Sequence, residues 1–197
     1  MLRVLKLGGS LYSEPVLGAW LDAISMAGQA GSPIVVVPGG GPFADTVRAA
    51  QAHQRFSNAI AHHMALLAME QFGLVLCGMA PHLHPAATAG EINEALSQGL
   101  TPVWLPTAMC LHAAEIPQDW TVTSDSLAAW LATRLDAAAL GLVKHGPVGV
   151  RDFSPRGDRD LVDQAFSTFA GAFTGPVSLL GHDDPAALHA WLEPALA

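Results

Sequence analysis

The residues of this chain that could do chemistry fall in three short clusters. The first is "KLGGS", Lys6–Ser10, in which a lysine precedes two adjacent glycines and a hydroxyl. Adjacent glycines weaken a strand, because they add backbone entropy and no packing. Gly8 and Gly9 therefore suggest a turn against which something binds, with Lys6 and Ser10 beside it. The second cluster is "VVVPGGGP", where Gly39, Gly40 and Gly41 follow an apolar run. Glycine turns let backbone N–H groups approach an anion, and a following helix adds its positive N-terminal end. One such turn alone is commonly just a tight connection, but two at one sheet edge beside a lysine point to phosphate. No G-x-x-x-x-G-K-[ST] and no helix-opening G-x-G-x-x-G occurs. The third cluster, "WTVTSDSLAAWLA", crowds Thr123, Ser124, Asp125 and Ser126 at the start of a helix. A single residue suffices to cap a helix. Asp125 could therefore hold Lys6 while the hydroxyls of Thr123, Ser124 and Ser126 meet a substrate.

These clusters need a sheet edge to bring them together, and the hydrophobic pattern supplies one. Strands are expected at Arg3–Leu7, Pro33–Val37, Leu74–Cys77, Pro102–Leu105, Leu140–Lys144 and Pro176–Leu180. Helices are expected at Val16–Ala30, from about Phe43, at Ser57–Phe72, Ser126–Ala138 and Pro185–Leu192. Strand–helix alternation of this kind predicts an α/β fold with a mainly parallel sheet and helices on both faces. Ligands of such sheets sit beyond the carboxyl ends of the strands, where both glycine turns fall. Lys6 should face away from Leu5 and Leu7, since strand side chains alternate. The charged, turn-rich stretch Arg151–Asp160 reads as an exposed and mobile loop.

Composition narrows the function. The chain has 197 residues, which favours one domain. Only 13% are charged, against about 25% in an average soluble protein, so apolar surface is expected to be buried between subunits. Helix Ser57–Phe72 is apolar on more than one face and is the candidate interface of a homo-oligomer, although a plain core helix is the competing reading. A net charge of −8 argues against a nucleic-acid partner. No apolar run is read as approaching the ~20 residues of a membrane span, and the N-terminus reads as a strand, not a signal peptide. Two cysteines, Cys77 and Cys110, fit a reducing cytoplasm. The nine histidines are scattered and no metal site is expected from their spacing.

"KLGGS", "VVVPGGGP" and "TSDSLAAWLA", in this order, resemble the amino acid kinase superfamily, which includes acetylglutamate, aspartate, uridylate and isopentenyl phosphate kinases. The resemblance runs from Leu2 to about Gly149. It implies a three-layer α/β/α sandwich and transfer of the γ-phosphoryl group of ATP, with Mg2+, to a small acceptor. Under it Lys6 would stabilise the transferring group and Gly8, Gly9 and Ser10 would bind nucleotide phosphates. Gly39, Gly40 and Gly41 would line the path from donor to acceptor, and Asp125 would orient the catalytic lysines. It also divides the single domain into an acceptor and dimer half, about 1–118, and a trimmed nucleotide half, about 119–197.

Two departures from the family pattern stand out. Where a T-D-x-x-G-type loop is usual, this chain reads "LVKHGPVGV", Leu142–Val150, with no acidic residue. No lysine follows Lys144, so either Lys144 serves as the second catalytic lysine or that role is absent. The third cluster, with "VDQAF" (Val162–Phe166), is most similar to the subgroup of furanmethyl phosphate kinases in methanofuran biosynthesis. That resemblance implies phosphorylation of an aminomethylfuran-methyl phosphate to its diphosphate. An anionic acceptor needs cations, and Arg48 and Arg55 follow the second glycine turn, where they either meet an acceptor phosphate or decorate a solvated helix face. Of His62 and His63, neighbours about 100° apart on a helix, at most one should face a pocket. A non-catalytic protein that binds or stores nucleotide or oxyanion, or a regulatory subunit, is the alternative to a kinase.

Overall fold

The computed structural model describes residues 1–145, 149–155 and 157–193. Seven strands form one sheet: β1 (Arg3–Leu7), β2 (Ile34–Pro38), β3 (Leu83–Ala86), β4 (Thr101–Trp104), β5 (Ala139–Lys144), β6 (Val150–Asp152) and β7 (Val177–Gly181). Their order is β3-β4-β2-β1-β5-β7-β6, all parallel except β6, which runs antiparallel to β7. The helices are α1 (Leu17–Gln29), α2 (Gly41–Gln54), α3 (Asn58–Met79), α4 (Ala89–Ser97), α5 (Thr107–Cys110), α6 (Ser124–Arg134), α7 (Phe166–Ala172) and α8 (Ala187–Leu192). They cover both faces of the sheet, as the strand–helix alternation predicts, and so form the three-layer sandwich that the family resemblance implies.

The central strands explain the layering. β2 is buried at all five positions and pairs with β1 from Arg3↔Ile34 to Leu7↔Pro38. Side chains alternate across β1: Val4 joins the core under α6 and α7, whereas Leu5 and Leu7 join the core under α1 and α8. Lys6 shares the face of Val4 and so points toward α6. The same alternation on β5 puts Leu140 and Leu142 with Val4, and so Lys144 on the face of Lys6.

Several expected elements are corrected. Leu74–Cys77 is no strand but the last third of α3, which runs unbroken for 22 residues. Four apolar residues in a row do not distinguish a short buried strand from buried helix. By length and hydropathy α3 could cross a membrane, contrary to the expectation that no run approaches that length. Its buried residues, among them Phe72 and Leu76, pack into the cores of this domain. The hydrophobic pattern marks no edge strand β3 and no helices α4, α5 and α7, and α6 begins at Ser124 rather than Ser126. The described residues of Arg151–Asp160 are not all exposed loop. They include the end of β6, and Asp158 is only 5% exposed. Arg151 grips that carboxylate through both terminal guanidinium nitrogens, at 2.8 and 2.7 Å, and Ser154 N–H donates to it at 2.8 Å. Arg156 lies outside the described residues.

Candidate active site

The two glycine turns meet at the carboxyl ends of β1 and β2. Gly39 N–H donates to Leu7 O at 2.9 Å, which ties the second turn to the first strand. A Cβ on Gly9 would stand 2.4 Å from Gly41 N, and one on Gly39 would stand 2.3 Å from Gly9 N. Only glycine permits these backbones to touch, and Gly41 also has a left-handed φ of 52°. A Cβ on Gly8 would lie 3.8 Å from Lys6 Nζ. The bare backbone there leaves the approach to the ammonium clear.

Asp125, in the first turn of α6, forms ion pairs with two lysines and accepts a hydrogen bond from Lys144. Lys6 Nζ is 2.9 Å from its Oδ1 and Lys144 Nζ is 2.5 Å from its Oδ2. Lys6 and Asp125 are 4% and 3% exposed. Burial alone would raise the Asp125 carboxyl, but the charges of Lys6 and Lys144 outweigh it and hold the pKa below its ordinary value. Burial, with Lys6 nearby, lowers Lys144 to about 8, although Asp125 and Asp163 pull it upward. The arrangement places two cations beside a surface rich in backbone amides.

Asp163, from the "VDQAF" stretch, holds the start of α6 in place. Its Oδ2 accepts from Thr123 N at 2.9 Å, Thr123 Oγ1 at 2.8 Å and Ser126 N at 3.0 Å, and its Oδ1 accepts from Ser126 Oγ. Thr123 caps the helix without a side-chain bond of its own, so a residue about forty positions later does the capping. The hydroxyls of Thr123 and Ser126 are engaged with Asp163, and Ser126 is fully buried. Pattern reasoning missed Asp163, since a cap supplied from another element leaves no local spacing.

A cavity of about 380 Å3 opens beside the glycine turns. Gly9, Ser10, Gly40, Gly41, Thr123 and Ser124 reach it, whereas Gly8, Gly39 and Ser126 do not line it, and neither do Lys6, Asp125 and Lys144. Its floor is apolar, formed by Leu66, Met69, Val122 and Leu127. Arg48 lies on its wall, paired with Asp45 at 2.9 Å and 4.4 Å above the Trp120 ring. Trp120 is itself fixed by a 2.6 Å hydrogen bond from Nε1 to Gln51 Oε1. Arg55 ends α2 in a left-handed conformation, exposed and outside the cavity lining. Of the two adjacent histidines, His62 is the one on the cavity wall.

Among the described residues no cluster of three metal-ligating side chains occurs. Both oxygens of Asp125 are already paired with lysine. Mg2+ is often held mainly by substrate phosphates and water, and a magnesium nucleotide fits this donor set better than a resident ion.

The profile of the amino acid kinase family matches residues 1–164. A protein of Methanocaldococcus jannaschii, (5-(aminomethyl)furan-3-yl)methyl phosphate kinase, is 27% identical over 158 residues, which span 79% of this chain and 71% of that protein. The fold is similar to the uridylate kinase of Archaeoglobus fulgidus, with a TM-score of 0.74, 15% identity and coverage of 98% of this chain and 95% of that one. It is also similar to UMP kinase from Bacillus anthracis, with a TM-score of 0.70, 15% identity and coverage of 97% and 91%.

Proposed function

The chain belongs to the amino acid kinase family and is a small-molecule kinase; we propose that it transfers the γ-phosphoryl group of ATP to aminomethylfuran-methyl phosphate, giving the diphosphate. The observation that carries the reading is the pair of lysines on one buried carboxylate beside the glycine turns. Phosphoryl transfer asks for positioning and charge stabilisation more than for covalent chemistry. An acceptor phosphate oxygen, already ionised, attacks the γ-phosphorus while the bond to the β–γ bridging oxygen breaks and ADP departs. No general base is needed. Lys6 and Lys144 balance the charge on the moving group, and Asp125 keeps both ammoniums aimed at it. Amides of Gly8, Gly9 and Ser10 would hold donor phosphates, and the backbone of Gly40 and Gly41 would receive the acceptor phosphate. Mg2+ would arrive on the nucleotide and offset its phosphate charge.

In this reading the first ~118 residues supply most of the acceptor half, and the cavity borrows Trp120 to Leu127 from the nucleotide half. A cytoplasmic setting suits an ATP-dependent enzyme with two free cysteines. Phosphorus NMR of the reaction mixture tests the acceptor assignment. The expected products are ADP and an equal amount of acceptor carrying a diphosphate. ADP with free phosphate and unchanged acceptor would contradict it.

The Lys144 titration gives a pH signature. Lys144 must be protonated to stabilise phosphoryl charge, so kcat/KM is expected to fall as pH rises through about 8. Lys144→Arg stays charged and should shift that limb to higher pH. An unchanged limb in the variant would assign it elsewhere. Stability has the opposite slope: the folded state releases this proton before the unfolded chain does. Its linked stability therefore rises from about pH 8 toward the ordinary lysine value.

We also assign α3 as the homo-oligomer interface. Ile60, Leu67 and Leu74 recur every seven residues and are 52%, 42% and 52% exposed. A stripe of this kind suits packing against a second helix. Leu67→Glu is expected to convert the oligomer to monomer in sedimentation velocity at micromolar concentration. A wild-type chain that sediments as a monomer would contradict the assignment.

A further inference from the structure

His62 sits on the wall of the acceptor cavity, only 5% exposed, and its Nε2 is buried with no hydrogen-bond partner among the described residues. A buried imidazole nitrogen without a partner is costly, and a ligand can satisfy it. The surroundings indicate which kind. Asp119 is close enough for its charge to act on His62. Among the described lining residues, Arg48 is the one permanent cation, and it is already paired with Asp45. The His62 end of the cavity therefore favours a positive group, whereas the glycine turns favour a negative one.

The spacing along α3 separates the two ends. Phe72 lies by Gly41, where a Cβ would come within 3.8 Å of its ring. His62 stands ten residues earlier, about 15 Å along the helix axis at 1.5 Å per residue. A small-ring phosphate monoester with an aminomethyl arm is about 9 Å from phosphorus to nitrogen at ordinary bond lengths. A hydrogen bond of about 3 Å at each end makes up the rest.

Resting on the kinase reading above, we propose that His62 is the specificity-determining residue of the acceptor site. Its acceptor nitrogen takes a hydrogen bond from the protonated amine at the end of the substrate remote from the phosphate, and Asp119 supplies the negative field. A neutral imidazole offers one such nitrogen, and burial lowers the pKa of His62, with Asp119 opposing and His63 adding to the fall. The apolar floor of Leu66, Met69 and Leu127 would meet the ring between the two ends.

The test is calorimetric titration of wild type, His62→Leu and His62→Gln with aminomethylfuran-methyl phosphate and with the same compound carrying methyl in place of aminomethyl. Wild type is expected to bind the amine compound at least 10-fold more tightly. His62→Leu should lose about 10- to 100-fold for the amine compound, the range of a hydrogen bond to a charged group. It should bind the amine-free compound and Mg·ATP as wild type does. His62→Gln, which keeps an acceptor atom, should fall between. Equal weakening toward both compounds in His62→Leu, or no preference in wild type, would overturn the proposal. Because binding is read without turnover, an amine preference in a protein that transfers no phosphate would sink the kinase reading and leave the His62 assignment standing. Turnover with amine-free acceptors at full rate would do the reverse.

Discussion

Replacing Lys6 by alanine is expected to lower acceptor-dependent ADP formation by about 10²–10³-fold, the usual loss when one preorganised donor to transition-state charge is removed. The reason lies in where the ammonium is held. Lys6 is buried at the end of β1 and fixed on Asp125 at 2.9 Å, and the bare backbone of Gly8 leaves its approach clear. Asp125 is its ion-pair partner among the described residues, so its charge is in place before the reaction begins. Affinity for Mg·ATP should change by less than about 10-fold, because backbone amides and the magnesium carry ground-state phosphate binding. Asp125 keeps Lys144 in the variant, so folding should survive. A variant that loses ATP affinity as steeply as turnover would make Lys6 a binding residue only.

Asp125→Asn should act on stability as much as on rate. In wild type one carboxylate neutralises the field between a buried ammonium and a half-buried one. Without it Lys6 and Lys144 face each other unpaired, and removing one member of a buried charge cluster costs about 3–5 kcal/mol. Urea unfolding at pH 7 is the measurement. The penalty should be smaller above pH 9, because Lys144, already lowered to about 8, can then shed its charge. A loss under about 1 kcal/mol at pH 7 would mean that the pair is solvated in solution and that Asp125 is no organising residue.

The parts of the site that the sequence made legible share a cause: each is encoded within a few adjacent residues. "KLGGS" and "PGGGP" put glycines where backbones must touch, and alternation on β1 sets Lys6 apart from Leu5 and Leu7. Lys144 stays open in the sequence between a strand-end lysine and a site residue, since only the pairing of β1 with β5 brings it to Asp125. Asp163 has no local mark, because its partners lie about forty residues earlier. The strand placed at Leu74–Cys77 failed because an apolar run inside a long buried helix has no local mark of its type. α4 had a readable signal: Thr88 Oγ1 accepts from Glu91 N at 3.2 Å, and Glu91 reaches back to Ala87 N at 2.7 Å. This T-x-x-E spacing announces a helix start. Edge strand β3, "LHPA", has no such mark, since a proline and a histidine break its apolar pattern.

Transfer of phosphate from ATP to a small phosphate acceptor is decided by ADP formation from saturating Mg·ATP, with and without aminomethylfuran-methyl phosphate, alongside a panel of other small phosphate monoesters. At least a 10-fold rise in ADP formation on adding the furan acceptor is the predicted result. The same slow rate with every acceptor, in a protein that binds Mg·ATP, would contradict the claim and point to a nucleotide- or oxyanion-binding protein on this fold.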